Sequence, residues 1–156
     1  MVLKRRKSSD PSLKPATGVV GWREYVGLPE LGIPAIKAKI DTGARTSALH
    51  VEDIRIAGDD NVAFSVPYYY HGRHLVECVA TLLGSREIRS TSGSSEERLI
   101  IKTAVAIGQR HWHIEVSLAD RSNMGFDLIL GRTALRRHGL IVDPSRSFLA
   151  GEPAYK

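Results

Sequence analysis

With 156 residues, 42% of them hydrophobic and 25% charged, the chain has the size and balance of one globular domain with its own core, and its apolar stretches are too short to span a bilayer. The net charge of +5 sits almost entirely in the first twenty residues, where Lys4, Arg5, Arg6, Lys7 and Lys14 stand against Asp10; the remainder is nearly neutral and lacks a general nucleic-acid footprint. The single cysteine, Cys78, excludes an internal disulfide, and the basic N-terminus is not followed by the apolar run of a secretory signal, so a cytoplasmic protein is expected.

Residues 1–17 read as a disordered, basic, solvated arm, and residues 18–156 as the folded domain. Contact with nucleic acid is expected, if anywhere, through that arm. Gly18 to Val26 has strand composition anchored by Trp22 and Tyr25, and Leu28-Pro29-Glu30-Leu31-Gly32 is a turn. Ile33 to Ile40 alternates apolar residues with Lys37 and Lys39, the period of a half-buried strand, and delivers Asp41-Thr42-Gly43 at its mouth. Thr46 to Val51 and Asp53 to Ile56 continue as strands up to the turn Gly58-Asp59-Asp60-Asn61. Val62 to Tyr70 and His74 to Leu83 form the next pair, followed by a polar loop from Ser90 to Glu97. Leu99 to Ile107 and Trp112 to Leu118 predict a hairpin across Gly108-Gln109-Arg110. Asp127 to Leu130 is a short apolar strand suited to burial, and Thr133 to His138 a short helix closed by Gly139. Leu140 to Val142 and Phe148-Leu149 flank a turn at Asp143-Pro144-Ser145. The sum is a mostly β domain with one or two short helices, closed or partly closed into a barrel.

Asp41-Thr42-Gly43 carries the chemistry. An isolated Asp-Thr-Gly is most often an ordinary turn. Two features raise it here: the buried strand ahead of it, and the segment Leu128-Ile129-Leu130-Gly131-Arg132 downstream. Hydrolysing a peptide without a metal or a covalent nucleophile needs a carboxylate to take a proton from water and a neutral acid to support the carbonyl oxygen. Two aspartates about 3 Å apart do both, because they cannot both ionise. One such aspartate per chain predicts a homodimer with the two Asp41 side chains facing each other across a two-fold axis. Thr42 offers groups that lock the loop, Gly43 lets the backbone turn sharply, and Leu130 and Gly131 support it.

These residues resemble a family. Ile40-Asp41-Thr42-Gly43-Ala44 and Leu128-Ile129-Leu130-Gly131-Arg132 are similar to the two halves of the retropepsin template. More closely, Gly21-Trp22-Arg23-Glu24, Leu28 to Gly32, Ile36 to His50 and Val142-Asp143-Pro144 resemble bacterial retropepsin-like peptidases long labelled ATP-dependent zinc proteases, among them the RimB-type enzymes associated with ribosomal-protein glutamylation. The resemblance covers about Gly18 to Gly151. It implies a single-domain, retropepsin-like acid-protease barrel, a substrate that is an acidic peptide or protein tail rich in glutamate, and a functional link to an ATP-grasp glutamate ligase.

The chain departs from the viral members of that template. They carry acidic residues after Asp-Thr-Gly-Ala, one of which pairs with the arginine of the Gly-Arg segment; here that place holds Arg45-Thr46. Arg132 is then expected to be free for another carboxylate. A basic rim of Arg45 and Arg132, with Arg89, Arg98, Arg86 and Arg121 as further members, would suit an acidic substrate. The competing expectation is that these arginines pair with Glu87, Glu96, Glu97 and Asp120. Arg86, Ser90 to Gly93 and Glu96 to Arg98 also match the family, and a hairpin there would suit a flap over the cleft.

The chain has no His-Glu-x-x-His and no phosphate loop, so neither a metal nor ATP is expected as a cofactor. His111 and His113 share a strand face and His71 and His74 flank a turn, but a zinc site would need distant segments brought together. Cys78 reads as a buried small side chain. Three alternatives stay open: a protein- or ribosome-binding module of the same fold in which Asp41 is a turn residue, a zinc-dependent peptidase, and a monomer whose lone Asp41 works with another acid or an arginine.

Overall fold

The computed structural model describes residues 18–89, 93–120 and 125–154. The basic arm, Ser90 to Ser92 of the expected flap, and Arg121 lie outside the described residues. The chain runs through β1 (Val19–Gly21), β2 (Arg23–Leu28), a 3-10 turn at Pro29–Leu31, β3 (Ile33–Asp41), β4 (Ser47–His50), β5 (Glu52–Ile56), β6 (Asn61–Tyr69), β7 (Arg73–Arg89), β8 (Ser95–Ile107), β9 (Arg110–Ala119), β10 (Leu128–Gly131), α1 (Arg132–Arg136) and β11 (Ile141–Asp143).

The large sheet has the order β2-β3-β10-β4-β9-β8-β7-β6-β5, and Gly27 of β2 also pairs with Ala106 of β8. That pairing closes six strands, from β2 round to β8, into the expected barrel. β7, β6 and β5 leave it as an antiparallel arm. β1 and β11 form a separate parallel pair. Among the described residues no helix is long and apolar enough to cross a membrane.

The apolar period explains the core. On β3, Ile33, Ile36, Ala38 and Ile40 are buried and Lys39 is exposed, as the alternation predicts. β10 is apolar throughout because it lies between β3, to which it runs parallel, and β4, to which it runs antiparallel. Leu128 and Leu130 are completely buried there. Cys78 is buried on β7, with its thiol directed to the Leu31 carbonyl at 3.5 Å.

Two elements differ from the sequence reading. β7 runs on to Arg89 and β8 starts at Ser95, so Ser95 to Glu97 of the expected loop are strand, and Arg86 to Arg89 pair with Ser95 to Arg98 as the two arms of the expected hairpin. Toward its tip the ribbon is exposed except for Arg98 and, in part, Ile88, so no apolar alternation marks it. The helix starts one residue earlier and ends at Arg136, with Gly139 at φ 59° returning its N–H to the Arg136 carbonyl at 3.0 Å. Phe148 and Leu149 follow the turn outside any strand. The segment they belong to is held by Glu24, which is fully buried: its carboxylate accepts the N–H groups of Gly21 (2.6 Å), Leu149 (2.9 Å) and Ala150 (3.0 Å).

Candidate active site

Asp41 is the last residue of β3 and lies beside Gly131, the last residue of β10, in a parallel ladder. The loop that follows leaves Asp41 half-buried and Thr42, Gly43 and Arg45 exposed. The Asp41 carboxylate is oriented from its own loop: Oδ1 accepts the N–H of Gly43 at 3.0 Å and of Ala44 at 3.2 Å. Oδ2 has no hydrogen-bond partner among the described residues. A carboxylate fixed through one oxygen leaves the other to act on a water or a substrate group.

The support beneath is equally specific. A Cβ on Gly131 would stand 2.6 Å from the Thr46 carbonyl oxygen and 2.9 Å from that of Ala44. Only glycine lets the two loops lie this close. The Gly131 N–H donates to Ser47 Oγ at 3.0 Å, and Arg132 N–H to the Ala44 carbonyl at 2.8 Å. Thr133 Oγ1 donates to the Arg45 carbonyl at 2.8 Å. Ser117 Oγ ties β9 in through the Ser47 carbonyl at 3.0 Å. Leu130 supports from within the core. The loop after Asp41 is therefore clasped to the start of α1 along its length.

The predicted arginines separate into distinct environments. Arg132 is exposed, but its guanidinium is engaged: Nη1 donates to the carbonyls of Gly43 at 3.2 Å and Thr42 at 3.5 Å. Without the acidic partner of the viral pattern, it locks the catalytic-type loop through backbone instead. Arg98 is buried and pairs with Glu96 at 3.4 Å. Arg86 pairs with Glu115. Arg89 is exposed at the end of β7, away from the loop in sequence and near the hairpin tip. Arg45 extends into a groove of about 730 Å³ that also reaches Thr133 and Arg137 near α1, Arg86 on β7, and Lys102 and His113 on β8 and β9. Asp41 does not line this groove, which begins at the next residues of its loop. Lys102 and Arg137 had no local signature in the sequence; only the folding of α1 against the β8–β9 ladder brings them beside Arg45.

Among the described residues, no group of three or more His, Cys, Asp or Glu is arranged to hold a metal ion. His113 Nε2 meets Glu30 at 3.0 Å, His74 Nε2 lies 2.8 Å from the Tyr70 carbonyl, and His50 is buried with Nδ1 at 3.3 Å from the Ala119 carbonyl. At the other end of β10, burial pushes the Asp127 carboxyl up, while the Tyr69 amide, His50 and Lys37 favour its charged form.

The description "RimB-like, retropepsin-like aspartic endopeptidase RimB" matches residues 19–153. A "Probable alpha-L-glutamate ligase" of Shewanella pealeana is 38% identical over 138 residues, covering 86% of this chain and 30% of that protein. One of the same description from Desulfotalea psychrophila is 39% identical over 141 residues, covering 88% and 30%. The chain thus spans less than a third of the length of these relatives. The crystal structure of Lpg0085, a protein of unknown function from Legionella pneumophila, superposes with a TM-score of 0.70 at 24% identity, covering 85% of this chain and 98% of that one. That likeness concerns the fold.

Proposed function

The chain belongs to the RimB-like family of retropepsin-like aspartic endopeptidases, and from that premise we propose that it is an aspartic-type peptidase that hydrolyses peptide bonds in acidic, glutamate-rich protein tails. The observation that carries this reading is the Asp41 carboxylate, held by two backbone amides on an exposed loop with one oxygen left open. The chain has a single Asp-Thr-Gly, so the active unit is a homodimer in which Asp41 meets Asp41 of the partner subunit.

In that dyad one proton is shared, and its titration belongs to the pair. The ionised carboxylate takes a proton from water as the water oxygen bonds to the carbonyl carbon. The protonated carboxyl gives its proton to the carbonyl oxygen. Collapse of the tetrahedral intermediate breaks the C–N bond, and the leaving nitrogen takes up a proton. Arg45 favours substrates that bring carboxylates to the rim. Arg132 contributes by holding the loop and has further N–H groups to offer.

The acidic substrate is supported by the relatives: the same domain occurs within longer proteins described as glutamate ligases. A peptidase joined to a ligase that adds glutamate suits trimming of what the ligase extends, and a cytoplasmic setting follows for a ribosomal-protein substrate. The test is mass spectrometry of a glutamate-extended peptide incubated with wild type and with Asp41→Asn, in buffer containing a chelator. Loss of residues with wild type alone is expected, with the variant reduced by about 10²–10⁴-fold. Cleavage that requires added zinc, or that survives in the variant, would overturn the aspartic mechanism. Binding without cleavage would leave a docking module.

A further inference from the structure

The groove beside the loop has a composition that the catalytic step does not account for. Its walls carry four permanent cations, Arg45, Arg86, Lys102 and Arg137, against two acids, Glu87 and Glu115. Glu115 faces Lys102 across the β8–β9 ladder, yet its carboxylate pairs with Arg86. His113 is taken by Glu30, which also accepts the Ala104 N–H. Among the described residues, Arg45, Lys102 and Arg137 make no ion pair, and all three are exposed. Leu83, Ile88, Ile100 and Ile114 also line it. Three unpaired cations in a groove that also has apolar lining suit a chain whose side chains have a methylene stem and a carboxylate tip. A volume of about 730 Å³ lies within the ordinary range of ligand clefts, about 300–1,000 Å³.

The position of the groove limits what it can do. Arg45, on the loop that follows Asp41, and Arg137, just past α1, both line it, and Asp41 does not. Because Asp41 is not among its walls, the groove is suited to residues of a substrate chain other than those at the reacting bond.

We propose that this groove is a second binding site for the substrate, an exosite in which Arg45, Lys102 and Arg137 hold glutamate side chains away from the scissile bond, so that the enzyme selects acidic tails by their length. The inference rests on the peptidase reading for the word substrate, but the binding it describes does not depend on catalysis.

The test uses Asp41→Asn, so that nothing is cleaved, and measures fluorescence anisotropy with labelled peptides carrying two, four or six terminal glutamates. Affinity rises with tail length, by on the order of tenfold from the shortest to the longest. Lys102→Glu with Arg137→Glu erases that gain, and Lys102→Arg with Arg137→Lys restores most of it. Lys39→Ala, a control on the exposed face of β3, keeps it. The gain shrinks with added salt. Affinity that ignores tail length, or ignores Lys102 and Arg137, overturns the proposal. So does a single-stranded RNA that outcompetes the longest peptide through the same residues. Wild-type cleavage is followed in parallel. If no peptide is cut while length-dependent binding persists, the exosite stands and the peptidase reading fails. If peptides are cut and charge reversal leaves binding unaltered, the reverse holds.

Discussion

Gly131 has no side chain because the Thr46 and Ala44 carbonyls occupy the space one would need. Gly131→Ala forces the two loops apart and is expected to cost about 1–3 kcal/mol. Urea unfolding measures that loss, and cleavage should fall further than stability does, because the displaced element is the one that aims Asp41. This glycine was legible in the sequence as part of an aliphatic-glycine segment, but its reason was not. The clash is with residues more than eighty positions earlier. Arg132 shows the same limit: its charge was visible, but the carbonyls of Thr42 and Gly43 that engage it are brought there only by the β3–β10 pairing. Cys78 was read correctly from its apolar alternation. Burial pushes its thiol up to about 11, with Glu77 adding to the shift, against an ordinary value of 9.0. Two pKa units leave about a hundredfold less thiolate at neutral pH. Alkylation of the native protein should be slower than that of the urea-unfolded chain by at least this factor.

At the scale of elements, the part played by Glu24 had no local signal. The residue sits in a strand pattern as an ordinary polar alternate, yet it is fully buried and gathers three backbone amides from two ends of the chain. Gly21 belongs to the same arrangement, since a Cβ there would overlap the Arg146 carbonyl. Glu24→Gln keeps the shape but replaces one carboxylate oxygen by an NH₂ that faces donors. A loss of about 2–4 kcal/mol is expected, from the hydrogen bonds to charge that are broken and the amide left unpaired. Hydrogen exchange at Leu149 and Ala150 should quicken in the variant more than exchange in β10. Strands with one buried face, β3 above all, were readable because their period is local. The β7–β8 ribbon had no such period, because little of it is buried on either side, and the hairpin there was expected from the family resemblance alone.

At the scale of the molecule, closure of β2 against β8 was foreseeable only as a class, many short strands between turns; the order of the strands was not. One Asp-Thr-Gly on a complete barrel has a quantitative consequence for the proposed dimer. Specific activity should be constant above the dimer dissociation constant and fall on dilution below it, with the midpoint matching sedimentation equilibrium. Undiminished activity from a protein sedimenting as a monomer would require a single-carboxylate mechanism.

The long spans that build the site also bear on when it comes into being. Gly131 meets Ser47 across 84 positions, and Leu149 meets Glu24 across 125. While the chain is still being synthesised, Asp41 emerges before the strand beneath its loop and before the clasp of α1. Contacts this distant form late, after the cost of closing the intervening chain has been met. A nascent chain carrying the Asp-Thr-Gly therefore lacks the support that the proposed peptidase site needs, and the site is assembled only once the distant strands have come together.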